Sequence, residues 1–150
     1  MTVKIMELRR YVAKGSPAAQ MQEARLDAGS GMEGDYHKNV SLLTKVALLW
    51  SEGLAAPGLC FEKQKMNILL DGGLTHGSQL SFSEAILHVR AEQKYCFPAC
   101  VYRQDATACP LAEGMFFADV LQGGIVRLGE IGVVTAMPLE LSVNPTTPLD

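Results

Sequence analysis

Three cysteines near the middle of the chain are the residues best suited to chemistry. They follow the spacing Cys-x3-Cys-x8-Cys, as Cys96, Cys100 and Cys109. Zinc ribbons use paired Cys-x2-Cys knuckles, which this spacing does not provide. Three thiolates could still hold a metal such as zinc, with His76 or His88 as a fourth ligand. Free cysteines are also common as small apolar core residues, and Cys60, in Gly-Leu-Cys-Phe, suits that role best.

Cys96 stands apart because Lys94 lies two residues before it. A nearby ammonium group favours the thiolate, which is the nucleophilic and metal-binding form of cysteine. Cys100 is close enough in sequence to accept sulfur from Cys96 or to resolve an oxidised form of it. The alternative is that Lys94 points into solvent and Cys96 is unreactive.

A second group lies in the glycine-rich stretch Gly31-Met32-Glu33-Gly34-Asp35-Tyr36-His37. Its glycines allow positive φ or a close approach of backbone to ligand. Asp35 and His37 could pair, so that the carboxylate orients the imidazole. The alternative is that Asp35 caps the loop and His37 lies on the surface.

The elements that position these residues are predicted mainly as strands. Val3 to Val12 and Gln20 to Leu26 read as a hairpin, and Leu80 to Val89 reads as a strand with Ala85, Leu87 and Val89 on one face. Leu59 to Leu70 is predicted as one irregular strand or a short helix. Further strands are predicted at Ile125 to Leu128 and Ile131 to Thr135, as a pair bent at Gly129. Helices are predicted from Leu42 to Trp50 and from Met115 to Leu121, the second capped by Gly123-Gly124. Residues 94–111 are predicted as a loop.

Composition limits the class of protein. The chain has 150 residues, 48% of them hydrophobic, which suits one globular domain over 1–150 with a core at about 3–135 and a loose tail at 136–150. No apolar stretch is long enough for a membrane helix, and the first residues do not read as a secretory signal, so a cytoplasmic location is expected. Residues 1–75 hold nine Lys/Arg and residues 76–150 hold four, without a basic cluster, which argues against a nucleic-acid partner.

Taken in order, several segments resemble the MOSC domain, named for the C-terminal part of molybdenum cofactor sulfurases, in its small stand-alone bacterial form. The resemblance covers about residues 3–135. Its segments are Gly31 to His37, Val40 to Leu43, Asn67, Gly73-Leu74, Gly77 to Leu80, Lys94-Tyr95-Cys96, Cys109-Pro110-Leu111, Phe116 to Gly124 and Val126 to Glu130.

The resemblance implies a mainly β fold, a MOSC-like β-barrel with two or three short helices. It also implies that the chain binds the molybdenum cofactor (molybdopterin) or carries sulfur as a persulfide, with a larger molybdoenzyme or a cysteine desulfurase as partner. The key cysteine of the family falls on Cys96, with Lys94 beside it, and Gly34, Asp35 and His37 would line the same cleft. Whether the chain is itself an enzyme stays open. The alternatives are a metal-binding module built on Cys96, Cys100 and Cys109, and a non-catalytic scaffold domain.

Overall fold

The structure is a computed structural model that describes residues 1–36, 46–50, 66–91 and 114–136, with the backbone alone for 47–50. All eleven elements within these residues are strands. They are β1 (Thr2–Arg10), β2 (Ala19–Met21), β3 (Glu23–Asp27), β4 (Gly31–Met32), β5 (Val46–Trp50), β6 (Ile68–Asp71), β7 (Ser78–Ser81), β8 (Ile86–Val89), β9 (Met115–Gln122), β10 (Gly124–Arg127) and β11 (Ile131–Ala136). The mainly β prediction is confirmed.

Eight of the strands form one sheet in the order β11-β7-β8-β9-β5-β6-β1-β2. The sheet curls until β11 also pairs with β1, so seven of its strands close a ring. Strands β11 and β2 pair with the same edge of β1 at different positions. Thr2 to Lys4 pair with β11, and Leu8 to Arg10 pair with β2. The other strands, β10, β3 and β4, form a small antiparallel sheet against the ring.

Alternating side chains explain why these segments are strands. Val3 and Ile5 of β1 are buried while their neighbours are exposed. The register with β6 shifts between Ile5 and Glu7, and this bulge lets Leu8 face inward as well. The inward side chains of both sheets form one core, including Leu26 and Met32 from the small sheet. Within the described residues no helix is long and apolar enough to cross a membrane.

Both helix predictions are wrong where the structure describes them. Val46–Trp50 is strand β5, parallel to β6 and antiparallel to β9. Met115–Gln122 is strand β9, in which Phe116, Ala118 and Val120 are buried on one face. A short apolar run fits a helix or a strand with two neighbours equally well, and here the pairing on both edges decides. Residues 42–45 lie outside the described part.

The predicted helix cap at Gly123-Gly124 is also wrong. A Cβ atom on Gly123 would lie 2.7 Å from the carbonyl oxygen of Leu26, and one on Gly124 would lie 2.6 Å from that of Glu84. These glycines are needed because other backbone segments pass directly beside them. The strands before and after Gly129 are present, but they belong to different sheets and do not form a pair.

The other strand predictions are confirmed in part. The opening hairpin is present, with β2 antiparallel to β1. The predicted return strand from Gln20 to Leu26 divides, however, because its second part lies in β3 of the small sheet. The prediction of a single strand from Leu80 to Val89 is wrong, because the segment is a hairpin in which the end of β7 is antiparallel to β8; Ala85, Leu87 and Val89 are buried as predicted.

Candidate functional site

The glycine-rich segment forms a short strand followed by a tight turn. Gly31 and Met32 are β4, and Met32 is fully buried. The Asp35 amide then donates to the Met32 carbonyl at 3.2 Å, which closes the turn around Gly34. Gly34 has φ +83°, a left-handed conformation that costs little only for glycine. Gly34 therefore lies on the surface side of the turn, and the Asp35 side chain lies on its buried side.

Asp35 lies in a buried polar junction at the end of β1. Its Oδ1 accepts hydrogen bonds from the Tyr11 amide at 2.8 Å and from the Asn67 side-chain amide at 3.2 Å. The same Asn67 amide group lies 3.1 Å from the Arg9 carbonyl, and the Arg9 amide donates to the Asn67 carbonyl at 2.8 Å. Asp35 and Asn67 are 4% and 2% exposed. This junction connects β1, the residue before β6 and the glycine-rich segment.

Tyr11 contributes to the junction at three points. Its amide donates to Asp35, its carbonyl accepts from the Tyr36 amide at 2.8 Å, and its hydroxyl accepts from the Met66 amide at 3.3 Å. Oδ1 of Asp35 thus organises the backbone around it, as a loop-capping carboxylate does. His37 lies outside the described residues, so its pairing with Asp35 stays a prediction.

On the other side of the turn, Gly34 lines a surface cavity of about 480 Å³. This volume is within the range of small-molecule sites. The walls are formed by the end of β1, by β2, by β3 and β10 of the small sheet, and by the turn that follows β4. They are Arg10, Met21, Glu23, Ala24, Arg25, Glu33, Gly34 and Ile125.

Arg10 packs directly on Gly34. A Cβ atom at position 34 would lie 2.8 Å from Cδ and 2.9 Å from Nη1 of Arg10, so a larger residue there would displace this side chain from its present position. The Nε atom of Arg10 is buried, and no atom of the described residues accepts a hydrogen bond from it. Buried polar atoms nearly always have a partner, so this atom is a candidate ligand contact.

Two other charged side chains of the cavity, Glu23 and Arg25, have neighbours of opposite charge. The Glu23 carboxylate lies 3.6 Å from Nε of Arg127, and Nε of Arg25 lies 3.5 Å from the Asp27 carboxylate. Glu33 is exposed at the rim of the turn. Arg10 thus differs from Arg25, because no carboxylate of the described residues forms an ion pair with it.

Sequence reasoning predicted Gly34 here but missed Arg10 and Arg25. The second half of the chain, which holds the predicted cysteine site, has only Arg90, Lys94, Arg103 and Arg127 as basic residues. The signal lay in the first half, because Arg10 directly follows the buried alternation of β1 and Arg25 alternates with the buried Ala24 and Leu26. Both patterns place an arginine on the surface of a sheet, but neither places the two at one cavity.

The cysteine-bearing segment begins after β8 and ends before β9. Lys94, Cys96, Cys100 and Cys109 lie outside the described residues, as does Cys60. Because β8 and β9 are antiparallel neighbours, the segment connects adjacent strand ends. Where it leaves the sheet, the Arg90 guanidinium forms two bonds with the Asp119 carboxylate, at 2.9 and 2.6 Å.

Both described histidines lie near this point. Nδ1 of His76 is 3.0 Å from the Arg90 carbonyl, and its ring packs against Phe116 with 4.6 Å between centroids. Since a carbonyl only accepts, Nδ1 must carry a proton. His88 pairs in register with Gln79 and Asp119. No three His, Cys, Asp or Glu side chains gather as metal ligands within the part of the chain that the structure describes.

The architecture defines a curled, ring-closing β-sheet with a second small sheet, and solved structures with the same fold exist. One is the YuaD protein from Bacillus subtilis, with a TM-score of 0.65 and 19% identity over 91% of this chain and 98% of that one. Another is described as a hypothetical protein, with a TM-score of 0.61 and 14% identity over 91% of this chain and 69% of that one. These likenesses show the fold. No family model and no curated protein matches the sequence.

Proposed function

We propose that this chain is a MOSC-like domain that binds the molybdenum cofactor or carries sulfur as a persulfide on Cys96. The observation that supports it is the position of Gly34. This residue, which the sequence resemblance assigns to the ligand cleft, lines a cavity of about 480 Å³. A cavity of that size accommodates a small organic ligand.

The residues at the cavity suit a ligand with an acidic group. The molybdenum cofactor carries a phosphate, and Arg10 offers a guanidinium nitrogen that is buried without an acceptor among the described residues. Gly34 leaves room for the Arg10 side chain at the cavity, while Asp35 keeps the turn in place through Tyr11 and Asn67. The cofactor, when bound, supplies a thiophilic metal for which a cysteine thiolate is a suitable ligand.

In the sulfur-carrier form of the proposal, Cys96 acts as a nucleophile. Its thiolate attacks the outer sulfur of a donor persulfide, such as that of a cysteine desulfurase. The donor S–S bond breaks, a new S–S bond forms on Cys96, and the donor leaves as a thiolate. Lys94 would favour the thiolate form, and Cys100 would be the next acceptor of the sulfur.

The test is intact-protein mass spectrometry with metal analysis on protein purified without oxygen. Wild type is compared with Cys96→Ser and with Cys60→Ser as the matched control. The sulfur-carrier form predicts an adduct of about 32 Da, one sulfur atom, that Cys96→Ser loses and Cys60→Ser keeps. The cofactor-binding form predicts molybdenum or a pterin in wild type and in Cys60→Ser, and neither in Cys96→Ser.

Two outcomes would contradict the proposal. One zinc per chain with unmodified cysteines would show a structural metal site on Cys96, Cys100 and Cys109 instead. The second outcome is that the protein, incubated in vitro with a cofactor donor and a sulfur donor, takes up neither. That result would leave the scaffold interpretation.

A further inference from the structure

Arg10 has a buried donor nitrogen, Nε, without a hydrogen-bond acceptor among the described residues. Its side chain packs on Gly34, whose missing Cβ creates the space, and β1 and β2 pair through the Arg10 backbone. This contact places the Arg10 side chain at the wall of the cavity.

The buried Nε has no acceptor among the described residues. Leaving a buried donor of a charged group without an acceptor destabilises the protein. Glu23 and Glu33 line the same cavity, yet neither forms an ion pair with Arg10, and Glu23 instead lies 3.6 Å from Arg127. An acceptor from outside the described residues would remove this cost.

We propose that Arg10, together with Arg25 in the same cavity, is the receptor for the phosphate group of a small phosphorylated ligand. A guanidinium offers donors in a planar fork that matches phosphate oxygens. A phosphate monoester is close to a dianion near neutral pH and has three acceptor oxygens. A phosphate therefore offers more acceptor oxygens to the two guanidinium groups than a carboxylate does, which favours it over acetate.

This inference deepens the proposed function, because it rests on the same cavity and names the part of the ligand that is recognised there. It makes no use of Cys96. The two ideas can therefore fail separately.

The experiment is isothermal titration calorimetry with inorganic phosphate and with glycerol 2-phosphate, at constant ionic strength near pH 7.5. Acetate is the comparison anion. The variants are Arg10→Gln, Arg10→Lys and the control Arg9→Gln. Arg9 is the neighbouring arginine on β1, and its Nε donates to Glu7 at 2.8 Å rather than lining the cavity.

We expect wild type to bind both phosphates in preference to acetate. Arg10→Gln should lose about tenfold or more of that affinity, while Arg9→Gln stays within about twofold of wild type. Arg10→Lys keeps the charge without the fork, so its affinity should fall between the two. Circular dichroism establishes that each variant is folded, and Arg10→Lys provides the test should Arg10→Gln not fold.

Equal phosphate affinity in wild type and in the folded Arg10 variants would overturn the inference, as would a wild type that binds acetate as well as phosphate. Cys96→Ser separates the two proposals. If Cys96→Ser and wild type bind phosphate equally through Arg10 while neither carries sulfur or cofactor, the phosphate site stands and the proposed function fails.

Discussion

The two sides of the glycine-rich turn differ in how their polar groups are satisfied. On one side, Oδ1 of Asp35 accepts hydrogen bonds from Tyr11 and Asn67 in a closed, buried junction. On the other side, Nε of Arg10 is buried against Gly34 with no acceptor among the described residues. The cavity and the junction are formed by consecutive residues of the turn, Gly34 and Asp35.

The difference distinguishes polar groups that stabilise the fold from polar groups that are available to bind a ligand. A buried carboxylate with several donors around it stabilises a fold, since it satisfies backbone groups that water cannot reach. A buried guanidinium nitrogen without an acceptor contributes nothing to that stability. It is expected where a ligand supplies the missing partner. Changes on the Asp35 side should therefore alter stability, and changes on the Arg10 side should alter binding.

The largest expected effect is on the Asp35 side. Asp35→Ala removes an acceptor from two buried donors, the Tyr11 amide and the Asn67 side chain, and should lower the free energy of unfolding by about 3 kcal/mol. Urea denaturation measures this change. Asp71→Ala, at an exposed position, is the control and should change stability by less than about 0.5 kcal/mol. An Asp35→Ala midpoint equal to wild type would remove the distinction between the two sides.

The next effect tests the contact between Gly34 and Arg10. Gly34→Ala and Gly15→Ala introduce the same backbone strain, since both glycines have φ +83°, and each should lose about 1 kcal/mol of stability. A Cβ at Gly15 meets nothing within 4 Å, whereas one at Gly34 collides with Arg10. Calorimetry should show reduced phosphate affinity for Gly34→Ala alone. Equal phosphate affinity in the two variants would argue against a role for the Arg10 position.

A smaller effect is expected from charge in the cavity wall. Glu33→Gln removes a carboxylate that repels an anion, so phosphate affinity should rise by about two- to fivefold while stability stays nearly constant. Asp71→Asn changes the net charge equally but lies outside the cavity, and it should leave affinity almost unaltered. If both variants raise the phosphate affinity equally, the effect comes from the net charge of the whole chain and not from the cavity wall, which would contradict the prediction.

The smallest effect concerns an exposed ion pair beside these two sites. The hydrogen bond from Arg127, at 2.9 Å, lowers the pKa of Glu84 below its usual 4.5. A lowered folded-state pKa stabilises the protein above the unfolded-state value, and this contribution disappears as pH falls through the folded-state pKa. Wild type should therefore lose slightly more stability than Glu84→Gln between about pH 5 and pH 3. Thermal unfolding of both across that range measures the difference, and parallel curves would contradict it.

Strand patterns that alternate could be predicted from the sequence. In β1, Val3 and Ile5 face inward while their neighbours face out, and β8 alternates in the same way. The short apolar runs at Val46–Trp50 and Met115–Gln122 could not be assigned. Local spacing allowed a helix in both, and hydrogen bonding to strands on either side decided otherwise.

The candidate site was predicted only in part. Gly34 and Asp35 were identified because glycine and aspartate have distinctive backbone roles. Arg10 could not be recognised, because an arginine at the end of a strand usually points into solvent. Its importance arises from Gly34, which lies 24 residues later in the chain.

The sequence by itself determined the mainly β class and the turn at Gly34, because side-chain alternation and glycine conformation are local properties of the chain. Only the tertiary structure decided that β11 returns to β1, that Asn67 and Tyr11 meet at Asp35, and that Arg10 lies against Gly34. These contacts join residues far apart in sequence. Their geometry depends on sheet closure and strand register, which local patterns do not encode.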